Sequence, residues 1–118
     1  MKGVGIILNV NTDNGTIRLT RGDTARLYIT IENESVGENY EITSADTLRL
    51  TLKKSIKDTY PAFQKVISGT NMFHIEPTDT SNLSFGRYFY DIELTTSDGD
   101  VYTIIGPAIF EILKEVSC

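Results

Sequence analysis

A two-residue hydrophobic period dominates this sequence and limits what it can fold into. From Ala25 the chain reads Ala-Arg-Leu-Tyr-Ile-Thr-Ile-Glu, so Ala25, Leu27, Ile29 and Ile31 fall on one side of an extended chain. Arg26, Tyr28, Thr30 and Glu32 fall on the other. Leu48, Leu50 and Leu52 alternate in the same way with Thr47, Arg49, Thr51 and Lys53. Tyr88, Tyr90, Ile92 and Leu94 alternate with Phe89, Asp91, Glu93 and Thr95. Clean alternation predicts strands with one face in a core and one in water, the antiparallel habit. A parallel α/β sheet would instead show unbroken apolar runs separated by amphipathic helices, and neither occurs.

Weaker strands fill the intervals: Gly5–Val10, Thr16–Thr20, Ala62–Ser68, Asn71–Glu76, Val101–Ile105 and Ala108–Leu113, all rich in β-branched and aromatic residues. Asn14-Gly15 and Asp98-Gly99 are hairpin signals, and Gly37, Gly69 and Gly106-Pro107 mark further turns. Pro77-Thr78-Asp79-Thr80-Ser81-Asn82-Leu83 lacks strand character. It predicts one helical turn near 78–83, capped by Thr78 or Asp79. The expectation is a single all-β domain over residues 1–118, with about eight short strands in a sandwich. Leu83, Gly86 and Tyr88 stand just before a long strand, as in the tyrosine corner of Greek-key sandwiches, where a buried Tyr hydroxyl bonds back to upstream backbone.

With 16 acidic against 11 basic residues the formal charge is −5, which argues against a phosphate-backbone partner or a polybasic membrane anchor. The apolar start, Val4 to Leu8, stops at Asn9, short of a secretory signal, and no run reaches the roughly 20 residues that span a bilayer. Synthesis in a reducing cytoplasm is expected, with Cys118 a free thiol. One cysteine and one histidine, His74, provide no disulfide, zinc cluster or histidine pair. The carboxylates Glu32, Glu34, Glu38, Glu41, Asp58, Asp91, Asp98, Asp100 and Glu111 occupy predicted wet faces or turns, where no pair converges as acid–base chemistry needs. Asp98-Gly99-Asp100 lacks the remainder of a calcium loop and reads as a hairpin turn. Arg21-Gly22-Asp23 spells an integrin-type tripeptide, but Gly22 turning the chain into the strand from Thr24 is the simpler reading. Tyr28, Tyr40, Tyr60 and Phe89 are the candidate exposed rings for a sugar-binding groove. No catalytic residue, metal ligand or cofactor site is expected.

Several fragments together resemble a family of small domains in tailed phages and prophages, the N-terminal domain of baseplate upper proteins and related tail components. They are Arg21-Gly22-Asp23-Thr24 opening a strand, the run Asp46 to Lys54, Phe73 to Thr80, Leu83 to Ile92, Tyr102 to Ile105, and the final Ile109-Phe110-Glu111-Ile112. The match covers about Ile17 to Val116. The resemblance implies an immunoglobulin-like antiparallel β-sandwich and a non-enzymatic virion structural protein, a tail or baseplate adaptor that contacts other virion proteins or itself. The charge balance and the short apolar runs described above add the expectation of no nucleic-acid partner and no membrane insertion. A cell-surface adhesin or carbohydrate-binding module is the alternative. Ile6, Ile7 and Leu8, apolar at successive positions, mark a candidate assembly edge covered on both faces.

Overall fold

The computed structural model describes residues 4–8, 12–13, 15–33 and 38–114. Among the described residues the fold is all-β apart from one helical turn. In order, the elements are β1 (Val4–Leu8), β2 (Thr12–Asp13), β3 (Thr16–Thr20), β4 (Ala25–Asn33), β5 (Glu38–Asn39), β6 (Thr47–Lys53), β7 (Phe63–Ser68), β8 (Met72–Ile75), α1 (Pro77–Thr80), β9 (Gly86–Thr95) and β10 (Val101–Leu113). Among the described residues no helix is long and apolar enough to cross a membrane.

Two sheets form. In one, β4 pairs antiparallel with β1, β5 and β8; in the other the order is β2-β3-β10-β9-β6-β7. The alternating residues do what their period requires. Leu27, Ile29 and Ile31 of β4, Leu48, Leu50 and Leu52 of β6, and Tyr88, Tyr90, Ile92 and Leu94 of β9 are buried. They join Ile17, Leu19, Phe73, Ile75, Phe110 and Ile112 from both sheets in one core. The ring of Tyr90 meets that of Phe110 edge to face, with centroids 6.0 Å apart and planes at 84°. The register Asp13↔Thr16 leaves a two-residue connection at 14–15, the length that the Asn-Gly signal predicts; Asn14 itself lies outside the described residues.

Three expectations are corrected. The pairing is not wholly antiparallel, because β3 lies parallel to β10, with Phe110 opposite Ile17 and Leu113 opposite Thr20. A period of two is the same in either direction, so it cannot reveal this. Second, Gly106-Pro107 is not a turn between two strands but a bulge inside one. The register of β10 against β9 shifts between Ile105 and Ala108, and Gly106 takes φ +126. Proline, which lacks a ladder donor, is tolerated at such a bulge. Third, the helical turn spans Pro77–Thr80 and its N-cap is Glu76, not Thr78 or Asp79. Pro77 takes the first helical position, and the Asp79 carboxylate accepts the Glu76 backbone N–H at 2.8 Å.

Gly106 also allows a close approach. A Cβ there would lie 2.5 Å from Asp91 Cβ and 2.8 Å from Asp91 Cα, so β9 backbone would have to move. At Gly99, φ +87, nothing lies within 4 Å. Gly99→Ala is therefore expected to cost about 1–2 kcal/mol from left-handed backbone alone. Gly106→Ala should cost about 1–3 kcal/mol more, from overpacking. Urea unfolding midpoints of the two variants check the difference, and equal midpoints would refute the close-approach argument.

Candidate functional site

Tyr88 is 3% exposed and begins the inward face of β9. Its hydroxyl donates to the Ser84 carbonyl at 2.9 Å, and Ser84 Oγ lies 2.9 Å from the same hydroxyl. Leu83 packs half-buried against the core. A Cβ on Gly86 would lie 3.0 Å from Lys54 Nζ, and that ammonium stands 4.4 Å from the centroid of the Tyr88 ring. Leu83, Gly86 and Tyr88 are thus brought to one corner. The Arg21-Gly22-Asp23 turn is fastened to the same corner. The Arg21 guanidinium lies 4.1 Å over Phe85, and the Gly22 N–H donates to the buried Thr80 hydroxyl at 2.9 Å. The tripeptide here is a packed structural turn.

The two sheets present different edges. β7 ends the larger sheet, and its Lys65 lies on the same strand face as Phe63 and Ile67, which pack on the core. Lys65 Nζ donates to the His74 carbonyl and to Asp79 Oδ2, each at 2.7 Å. An inward-pointing charge on an edge strand discourages pairing with a foreign strand. β1 pairs along Val4–Leu8 with Leu27–Ile31 of β4, its partner among the described strands. Val4-Gly5-Ile6-Ile7-Leu8 contains neither charge nor proline. The side chains of Ile6, Ile7 and Leu8 lie outside those described.

The outer face of the larger sheet carries polar cross-strand pairs. Arg18 Nε lies 3.2 Å from Glu111 Oε1, Arg49 Nη1 lies 4.0 Å from Glu93 Oε1, and Gln64 donates to the Thr51 hydroxyl at 3.0 Å. Asp91 differs from its neighbours. It faces the bulge on one side and Thr51 on the other, and it forms no hydrogen bond or ion pair among the described residues. Burial holds its carboxyl above the ordinary range, with Glu93 adding to this and Lys53 and Arg49 opposing it. Asp91, Thr51, Lys53, Ile56, Phe89, Tyr90 and Pro107 line a cleft of about 240 Å³. A second cleft, of about 440 Å³, opens beside β4 between the segments at 40–42 and 69–71.

The candidate rings do not converge. Tyr28 points outward from the sheet containing β4, and Phe89 outward from the sheet containing β9. Tyr60 is 83% exposed in the loop between β6 and β7, and the Tyr40 hydroxyl is engaged by Asp46. At 98–100 the chain makes a hairpin turn, closed by Gly99 N–H to the Thr96 carbonyl and Thr96 N–H to the Asp100 carbonyl, both 2.9 Å. Among the described residues no three His, Cys, Asp or Glu side chains gather as metal ligands.

Residue-by-residue reading missed Asp46, which is 1% exposed. Its Oδ2 accepts from the Tyr40 hydroxyl at 2.8 Å and the Thr43 N–H at 2.9 Å, and its own N–H donates to the Thr43 carbonyl. Burial alone would raise its carboxyl, but the bonds from Thr43 and Tyr40 outweigh it and hold it below the ordinary value. The hydrogen bond to Asp46 in turn pushes Tyr40 up to about 12. The one local sign of the pair is an Asp six residues after a Tyr, a spacing too common to stand out.

The chain matches no protein-family model, no curated protein and no solved structure.

Two measurements test this account. Tyr88→Phe should lose about 1 kcal/mol, since the buried ring gives up its hydroxyl bond to the Ser84 carbonyl. A denaturant midpoint equal to that of the parent chain would show the bond to be dispensable. Stability should also respond to pH in both directions. Asp46 and Asp79 are depressed when folded, so the stability they contribute is present above about pH 3.8 and lost as pH falls through their folded values. Tyr40 is raised, so its contribution is intact below pH 10 and lost as pH climbs towards about 12. The alkaline loss should shrink in Tyr40→Phe, read from denaturation midpoints across that range.

Proposed function

We propose that this chain is a non-enzymatic virion structural component of a phage or prophage, an immunoglobulin-like adaptor of the tail or baseplate that acts through protein–protein contacts. The observation that carries the reading is the unequal guarding of the sheet edges. Lys65 turns β7 away from strand addition, whereas β1 presents one side to β4 and carries no blocking residue in its sequence. A strand of that kind suits pairing with a neighbour, in which main-chain hydrogen bonds supply affinity and side-chain pockets supply register.

The strand order supports the immunoglobulin-like part. Read as such a sandwich, β1, β4 and β8 would take the A-B-E places and β10, β9, β6 and β7 the G-F-C-C′ places, with β2 and β3 added beside β10. The Tyr88 hydroxyl bond to Ser84, just upstream of the strand equivalent to F, is of the tyrosine-corner kind. Several carboxylates serve architecture. Asp46 and Asp79 hold turns, and Glu93 and Glu111 pair across strands. The resemblance of the segments from Ile17 to Val116 to baseplate upper proteins supplies the virion context, with synthesis in the bacterial cytoplasm before assembly.

Immunogold labelling of purified particles with an antibody to this chain should mark the tail end. Unlabelled particles, intact and disrupted alike, with a positive glycan array would move the assignment to a carbohydrate-binding module. Light scattering should show the full chain as a homo-oligomer or bound to a neighbouring virion protein, with a lower mass after deletion of residues 1–10. An unchanged mass would remove β1 from the contact.

A further inference from the structure

Charged side chains on a wet sheet face are ordinarily paired across strands or fully solvated. Asp91 is neither. It is half-buried, it has no hydrogen-bond or ion-pair partner among the described residues, and burial disfavours its charged form. Such a group weakens the fold, and residues that do so inside a cleft are where function is expected.

The surroundings specify the missing partner. Phe89 stands two residues before Asp91 on the same outward face, so ring and carboxylate are spaced by one strand repeat of about 6.5–7 Å. Opposite Asp91 on β10 comes the bulge, where Gly106 has no side chain and Pro107 gives an apolar wall. Ile56, 57% exposed, provides another. At about 240 Å³ the cleft is below the range of drug-sized pockets and suits a single side chain. An aromatic face next to an unpaired carboxylate complements a planar cation, which can stack on the one and donate two parallel hydrogen bonds to the other. The molecule already uses half of this arrangement, with the Arg21 guanidinium 4.1 Å over Phe85.

The geometry points to this cleft as a socket for an arginine side chain of a partner protein, held between Phe89 and Asp91 on the outer face of the larger sheet. The inference rests on the protein-contact reading above and names the chemistry of one such contact. Lys53 lies opposite Phe89 and lines the same cleft, yet forms no ion pair with Asp91. Its positive charge stands near Asp91 without pairing to it, so it opposes an incoming guanidinium but leaves the place beside the carboxylate open.

The test is a nitrogen-15 NMR titration of the full chain with Nα-acetyl-arginine methylamide, against the neutral citrulline analogue at matched ionic strength. The arginine probe should produce saturable shifts at Thr51, Ile56, Phe89 and Asp91, with a dissociation constant on the order of 10 mM, and the citrulline probe none. Asp91→Asn and Phe89→Leu, both outer-face changes whose folding the same spectra verify, should each weaken binding about tenfold. Lys53→Gln should preserve or tighten it. Equal shifts from citrulline, undiminished binding in Asp91→Asn, or no shift at the cleft would overturn the socket. None of these results bears on the particle labelling, which reads virion location and not cleft chemistry.

Discussion

The burial of one face of β9 is the constraint on which the remainder of the structure depends. The strand pairs with β6 along one side and β10 along the other. Its inward residues Tyr88, Tyr90, Ile92 and Leu94 are all at most 3% exposed. Each fully buried side chain of this size contributes about 1.5–3 kcal/mol, so four on one strand set its register firmly. Tyr90 reaches furthest, with its ring on Phe110 and its hydroxyl on the Gly15 carbonyl, tying the second hairpin strand to the centre of the sheet. A slip by one residue would bring Arg87, Phe89, Asp91 and Glu93 inward. Because the inner face alone forbids that slip, the outer face is left open to selection for contacts.

Polar groups taken out of water are used to fix turns. Asp46 organises the segment from Tyr40 to Thr43, and Asp79 joins the Glu76 cap to Lys65. In both cases donated hydrogen bonds outweigh the cost of burial, so the carboxylate stays ionised and its partners stay ordered. Asp91 shows the opposite balance, with burial but no donor among the described residues. The contrast on a single small domain separates carboxylates that hold the fold from one that the fold tolerates.

Much of the architecture was legible in the sequence because it is local. The alternation in β4, β6 and β9 named their buried residues, and the Asp-Gly signal fell at a real turn. What escaped was set by distant neighbours. Ile17-Arg18-Leu19 alternates identically whether its partner runs up or down, so the parallel pairing with β10 left no trace. Gly106-Pro107 carries the local chemistry of a turn and becomes a bulge only because β9 continues past it. The Glu76 cap did have a signal, in the proline after it and the acid three residues on. Strand parity placed Asp91 on the wet face, but the cleft around it is assembled from Ile56 and Pro107, far away in the chain.

The parallel pairing of β3 with β10 has a mechanical consequence. Residues Ile17–Thr20 lie beside Phe110–Leu113 in the same direction, and Arg21 N–H continues the ladder to the Leu113 carbonyl at 3.0 Å. Tension drawing the start of β3 away from the end of β10 would slide the two strands lengthwise past each other. The bonds of that seam would then share the load together, unlike a hairpin peeled from one end, where they yield in turn. Drawn in that direction, the seam between β3 and β10 resists as one unit.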